Sequence, residues 1–123
     1  MATESPMISD GANTTAAADL SAKQFYAAKL TAARSVNLAS TGGEAIYGIL
    51  QNKPVSGEVA DLAIFGVCKA AAGAAFSAGA ALMTDTTGRL ITQTSTNATV
   101  GVALEAATVA GQIVTVKIIP TAG

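Results

Sequence analysis

Glu58 and Asp61 are the closest two carboxylates in the chain, and a carboxylate pair is one route to general acid–base chemistry. On an extended backbone their three-residue separation puts them on opposite faces, where they cannot act together. The remaining acidic residues are scattered singly. Histidine is absent, which removes the commonest general base and the commonest metal ligand together. The single cysteine, Cys68, excludes an internal disulfide and any multi-cysteine metal site, and its place in an apolar alternation reads as a buried, inert thiol. No loop of alternating Asp and Asn, no Walker spacing and no dinucleotide fingerprint occurs. Glu105 reads as a solvated or intersubunit carboxylate at a strand end, and Arg34 and Arg89 as surface or interface cations. With no convergent polar cluster, the chain is expected not to be an enzyme and to need no cofactor and no metal.

The chain that would have to position such groups has 123 residues, room for one domain with one core. It is 50% hydrophobic but only 12% charged, about half the charged share of an ordinary soluble domain. So few charges suggest that part of the exterior is covered by neighbours, although alanine supplies much of the apolar count. The net charge is -1 with no run of either sign. A basic stripe for nucleic acid or a Lys/Arg cluster for an anionic membrane is therefore missing. The apolar run over residues 66–83 contains Lys69 and is filled by Ala and Gly, which argues against membrane insertion. The N-terminus lacks a basic region followed by an apolar core, so no secretory signal is expected and the triplets at Asn13 and Asn97 read as chance glycosylation matches.

Residues 1–18 have no periodicity and read as an N-terminal arm or leader, with the domain proper over 19–123. Fully extended, the arm would reach on the order of 60 Å, far enough to touch a neighbouring subunit. Pro6, Met7 and Ile8 are its only cluster with something to bury. The domain should fold without it. Residues 19–33 fit a short helix capped by Asp19 or Ser21, or, over Gln24 to Leu30, a strand favoured by Phe25 and Tyr26. Strands are expected over 35–39, 44–51 and 58–70, with turns at Ser40 to Gly43 and around Pro54 to Gly57. Residues 70–81 fit a loop with a tight turn at Ser77, Ala78 and Gly79, with a helix as the alternative. Asp85 to Gly88 has type I turn chemistry between two short strands. The strongest signal is the last: Val100, Val102 and Leu104 alternate with Gly101, Ala103 and Glu105, and Val114, Val116 and Ile118 with Ile113, Thr115 and Lys117. Two antiparallel strands follow, with Pro120 ending the pairing.

Residues 76–119 also carry a resemblance. Ser77, Ala78, Gly79, Ala80, Ala81 and Leu82 precede the turn with Asp85 and Gly88. Gly101, Val102, Ala103, Leu104 and Glu105 come next, and Ala110 and Gly111 then lead into Val114, Val116 and Ile118. This run resembles the capsid decoration, or cement, proteins of tailed bacteriophages, most closely over residues 100–106. The similarity is looser in the middle of the chain and does not reach residues 1–18. It implies a small, mainly β protein, an antiparallel barrel or sandwich with an extended N-terminal arm and at most one or two short helices. It implies a homotrimer made in the host cytoplasm that sits on the outer surface of the virion head and ties major capsid protein subunits together. Pro6, Met7, Ile8, Phe25 and Tyr26 are the residues expected to touch the capsid, with no nucleic acid and no membrane as partner.

Two binding classes compete. A phage-associated ligand- or receptor-binding β module would show a surface aromatic cluster, but the chain has five aromatics and no tryptophan. A lipoyl- or biotinyl-type carrier would need a lysine at a hairpin tip, where Thr86, Thr87, Ala107 and Thr108 stand instead.

Overall fold

The period-two apolar patterns become strands in the computed structural model, which describes residues 7–95 and 97–119. In chain order these are β1 (Met7–Ser9), β2 (Thr14–Ala16), β3 (Ala27–Ala32), β4 (Ser35–Leu38), β5 (Gly48–Leu50), β6 (Val59–Ala60), β7 (Leu62–Ala71), β8 (Ala81–Thr84), β9 (Leu90–Thr92), β10 (Gly101–Ala103) and β11 (Ile113–Ile118). No helix occurs among the described residues. All strands belong to one sheet in the order β6-β2-β4-β3-β5-β7-β11-β10-β8-β9, with β1 paired to β7. Every pairing is antiparallel except β2 with β4. The sheet is not closed by a ladder, although a single parallel bridge joins Leu90 to Ala72 just beyond β7. The mainly β, antiparallel expectation therefore holds.

β7 is the spine. Ala63 faces Ile49 of β5 and Ser9 of β1, while Gly66 faces both Met7 of β1 and Ile118 of β11. Gly66 adopts φ +100, a conformation side chains resist, at the point where the β1 and β11 ladders meet. Cys68, Ala70, Val114, Val116, Ile118, Leu82 and Ala103 form one apolar core with Ile49 and Phe76. Ala16, Leu20, Ala28, Val36, Leu50, Ala60 and Leu62 form a second. Their burial, at about 25 cal/mol for each Å² of apolar surface removed from water, is the main force holding strands this short in one sheet.

The hairpin of β8 and β9 is set by Asp85. Its Oδ1 accepts from the amides of Thr87 (2.8 Å) and Arg89 (3.0 Å), and its amide donates to the Arg89 carbonyl (2.7 Å). Gly88 closes the turn at φ +89. The strand reading wins over the helix, because β3 pairs with β4 on one side and β5 on the other, but the strand begins at Ala27 and leaves Phe25 and Tyr26 just before it. Residues 72–80 form the loop and the turn at Ser77, where the Ala80 amide donates to the Ser77 carbonyl (3.2 Å). The strand expected over 44–51 shortens to β5, and the one over 58–70 divides at Asp61 into β6 and β7.

Two expectations need correction. The arm over 1–18 is part of the sheet from Met7 onward: β2 lies between β6 and β4, with Thr14 and Ala16 buried. Asp10 fastens this segment, its amide donating to the Leu62 carbonyl (2.9 Å) and its Oδ2 accepting from the Thr14 hydroxyl (2.8 Å). Residues 1–18 thus contribute two strands, β1 and β2, to the same sheet as the rest of the chain. In β10 the buried face is the one with Gly101 and Ala103, whereas Leu104 is 48% exposed. A Cβ on Gly101 would run into the carbonyl oxygen of Lys117, so only glycine fits this close approach. β11 buries Val114, Val116 and Ile118 as its alternation predicts. Pro6 and Pro120 lie outside the described residues.

Candidate functional site

The groups with chemical potential are dispersed. Glu58 Oε1 accepts from the Val55 amide (2.8 Å), while the Asp61 backbone amide donates to Asn52 Oδ1 (3.0 Å). Cys68 is fully buried. Glu105 Oε1 accepts from the Thr115 amide (2.9 Å) and so stitches the end of β10 to β11. Arg89 stays beside Asp85, with Nε 3.9 Å from Oδ2. No group of three or more Cys, Asp or Glu side chains that could hold a metal ion occurs among the described residues.

Surface shape and exposure say more than chemistry does. Of the expected contact residues, Ile8 is on the surface at 56% exposure, and Met7 beside it is half-buried against the larger core. Ile8 sits directly opposite Phe65 of β7, itself 41% exposed, so a β-branched and an aromatic side chain form one outward apolar pair. Phe65 is exposed although it lies two residues from the buried Ala63, a spacing that in a regular strand shares one face. The register shift between Ile8 and Ser9 and the positive φ of Gly66 turn this part of β7 away from simple alternation. A glycine inside a strand pattern is the signal that marks such a position.

Phe25 and Tyr26 are brought together elsewhere, and both have structural partners. Phe25 holds φ +74, its amide donating to the Leu50 carbonyl (2.6 Å) and its carbonyl accepting from the Ala71 amide (2.9 Å). It therefore bridges β5 to the end of β7, and its ring faces the Lys69 ammonium at 5.9 Å. Tyr26 receives the Leu50 amide on its carbonyl (2.8 Å), and Lys23 lies 5.2 Å from its ring centroid. Both rings remain half-buried and reach the surface. A second outward apolar group, missed in the sequence, is Leu104, Val109 and Ile113 around the β10–β11 connection, whose residues 106–112 contain no charge.

The model of the phage cement protein family matches residues 9–118. The chain belongs to that family. The match begins in β1 and ends on the last residue of β11, so this cement protein carries its family's pattern through the segment expected to be an arm. A solved structure, the head fiber gp8.5 N base of bacteriophage phi29, superposes with a TM-score of 0.68 over 91% of this chain and 93% of that one. At 19% identity that likeness shows a shared fold. No curated protein matches. Cement-family membership makes this a phage structural protein of the virion head.

Proposed function

We propose that the chain binds the outer surface of a phage head and stabilises contacts between major capsid subunits. The single observation carrying this reading is the cement-family match over nearly the whole described chain. The composition is consistent with it: a surface with few charges, and Ile8 and Phe65 side by side on it, is suited to being covered by another protein. Such a protein acts by mass action, because a ligand that binds the assembled shell and not its dissociated subunits favours the shell. Repetition around a symmetry axis multiplies modest contacts, and a homotrimer would add that gain within each bound unit. In this reading Pro6, Met7 and Ile8, joined by Phe65, form one contact and the half-buried rings of Phe25 and Tyr26 another, and the protein is made in the host cytoplasm before docking.

The test is to mix the purified protein with expanded, undecorated heads of the phage that encodes it and image them by electron cryomicroscopy. Regularly placed extra density on the outer surface, together with heads that survive higher temperature, is the expected result. Bare heads at saturating protein would overturn the reading. Sedimentation equilibrium of the free protein decides whether the trimer exists before docking.

A further inference from the structure

Lys69 and Lys117 stand on one face of neighbouring strands. Lys69 pairs with Thr115, and Lys117 pairs with Val67, so the two lysines are diagonal neighbours on the side away from Cys68, Val116 and Ile118. Val102 pairs with Lys117 and Ala81 with Val102, giving a row of Val67, Lys117, Val102 and Ala81 across four strands. Leu104, whose amide donates to the Thr115 carbonyl (3.1 Å), extends the same face. The other side of these strands is core; on this side Lys117, Ala81 and Leu104 are exposed, Val67, Lys69 and Val102 are half-buried, and Thr115 is buried.

Neither lysine has a carboxylate partner among the described residues, where the ion pairs are Lys29 with Glu44 and Arg89 with Asp85. Glu105, beside them on the same strands, directs its Oε1 to the Thr115 amide. Lys69 has only the Phe25 ring before it. Two like charges on diagonal positions of a sheet repel, and among the described residues neither forms an ion pair that would offset the repulsion.

We propose, building on the capsid-binding reading above, that this face docks a segment of the major capsid subunit carrying carboxylates beside apolar side chains. The carboxylates neutralise Lys69 and Lys117, and Val67, Val102 and Leu104 supply the apolar contact. Charge complementarity selects this occupant. A second copy of the chain meeting the face across a twofold axis would set lysine against lysine. A nucleic acid would find two lysines on a chain of net charge -1, too little to neutralise a phosphate backbone.

The experiment compares the wild type with K69Q/K117Q and K69E/K117E in co-sedimentation with expanded, undecorated heads, with circular dichroism confirming the fold of each. The glutamine pair is expected to bind about tenfold more weakly and the glutamate pair about a hundredfold. Wild-type binding should also weaken as salt rises from about 0.05 M to about 0.5 M. If the double reversal melts early, K117E alone, at an exposed position, carries the comparison. Wild type and reversed protein binding heads equally well would overturn this inference and leave the capsid-binding reading standing. Wild type failing to bind heads at all would overturn both. Reversal that changes self-association or nucleic-acid retention, with head binding intact, would assign the face to another partner and overturn the inference.

Discussion

Ile8 of β1 stands directly opposite Phe65 of β7, and both side chains face solvent although together they are the largest apolar pair on that part of the sheet. Replacing both by serine removes little that the fold uses. The stability of I8S/F65S in urea should stay within about 1 kcal/mol of wild type. Its affinity for expanded heads, measured by co-sedimentation, should fall about tenfold or more, as for a central apolar contact. Equal binding by the double variant would remove this pair from the contact.

Gly101 meets the Lys117 carbonyl so closely that even a methyl group has no room, and the obstacle is backbone. Gly101→Ala should therefore cost about 2 kcal/mol or more, through displacement of β10 from β11. Gly111 has open space around it but φ +89, so Gly111→Ala should cost only about 1 kcal/mol, from strain alone. Urea denaturation of the two variants measures the difference.

Asp10 is buried, and its carboxylate serves the Thr14 hydroxyl and, at 3.4 Å, the Leu62 amide. Asp10→Ala leaves those donors without their acceptor and should cost about 1–3 kcal/mol. Hydrogen exchange should speed up first in β1 and β2. Asp10→Asn, which keeps an acceptor, should recover most of the loss. Burial, and then the charge of Asp10, hold the Tyr47 hydroxyl above its ordinary value of 10.0, so Asp10→Asn should also bring the Tyr47 titration down. An unmoved Tyr47 titration would disconnect the two groups.

Glu44 caps the turn before β5. Burial pushes its carboxyl up, but the Thr41 and Ser40 amides, both 2.7 Å from Oε2, and Lys29 at 3.2 Å outweigh that and leave it below the ordinary 4.5. A carboxylate lowered on folding contributes stability that is fully present above its unfolded value and lost as pH falls through its folded value. Wild type should therefore lose this increment as pH drops below about 4.5, and Glu44→Gln should lack that part of the pH dependence. Thermal melts of both proteins between about pH 6 and pH 3 test this, with parallel curves as the contrary result.

Legibility in the sequence followed local chemistry. The β8–β9 hairpin was readable because Asp85 and Gly88 specify their own turn, and β11 because its alternation coincides with its burial. The buried face of β10, with Gly101 and Ala103, was not readable, since it is chosen by close approach to Lys117 and not by side-chain size. β1 and β2 were invisible because strands of three residues are too short to carry a period. Only distant partners define them: residues 63–66 for β1, and residues 35–36 and 59–60 for β2. For the candidate surface, Ile8 was readable as an apolar residue in a polar segment. Phe65 was not, because the break at Gly66 that exposes it appears only when two ladders meet there.

That meeting point sets the timing of folding. Gly66 pairs with Met7 and with Ile118, residues more than a hundred positions apart, so the spine cannot be flanked on both sides until Ile118 has left the ribosome. Nascent chains should stay unzipped along β7 and then complete late and cooperatively, at the slow pace of topologies with distant partners. Because Met7 and Ile118 both pair with Gly66, joining the segments before and after them with a short linker and opening the backbone at the Ala78–Gly79 turn should yield a circular permutant with the same sheet.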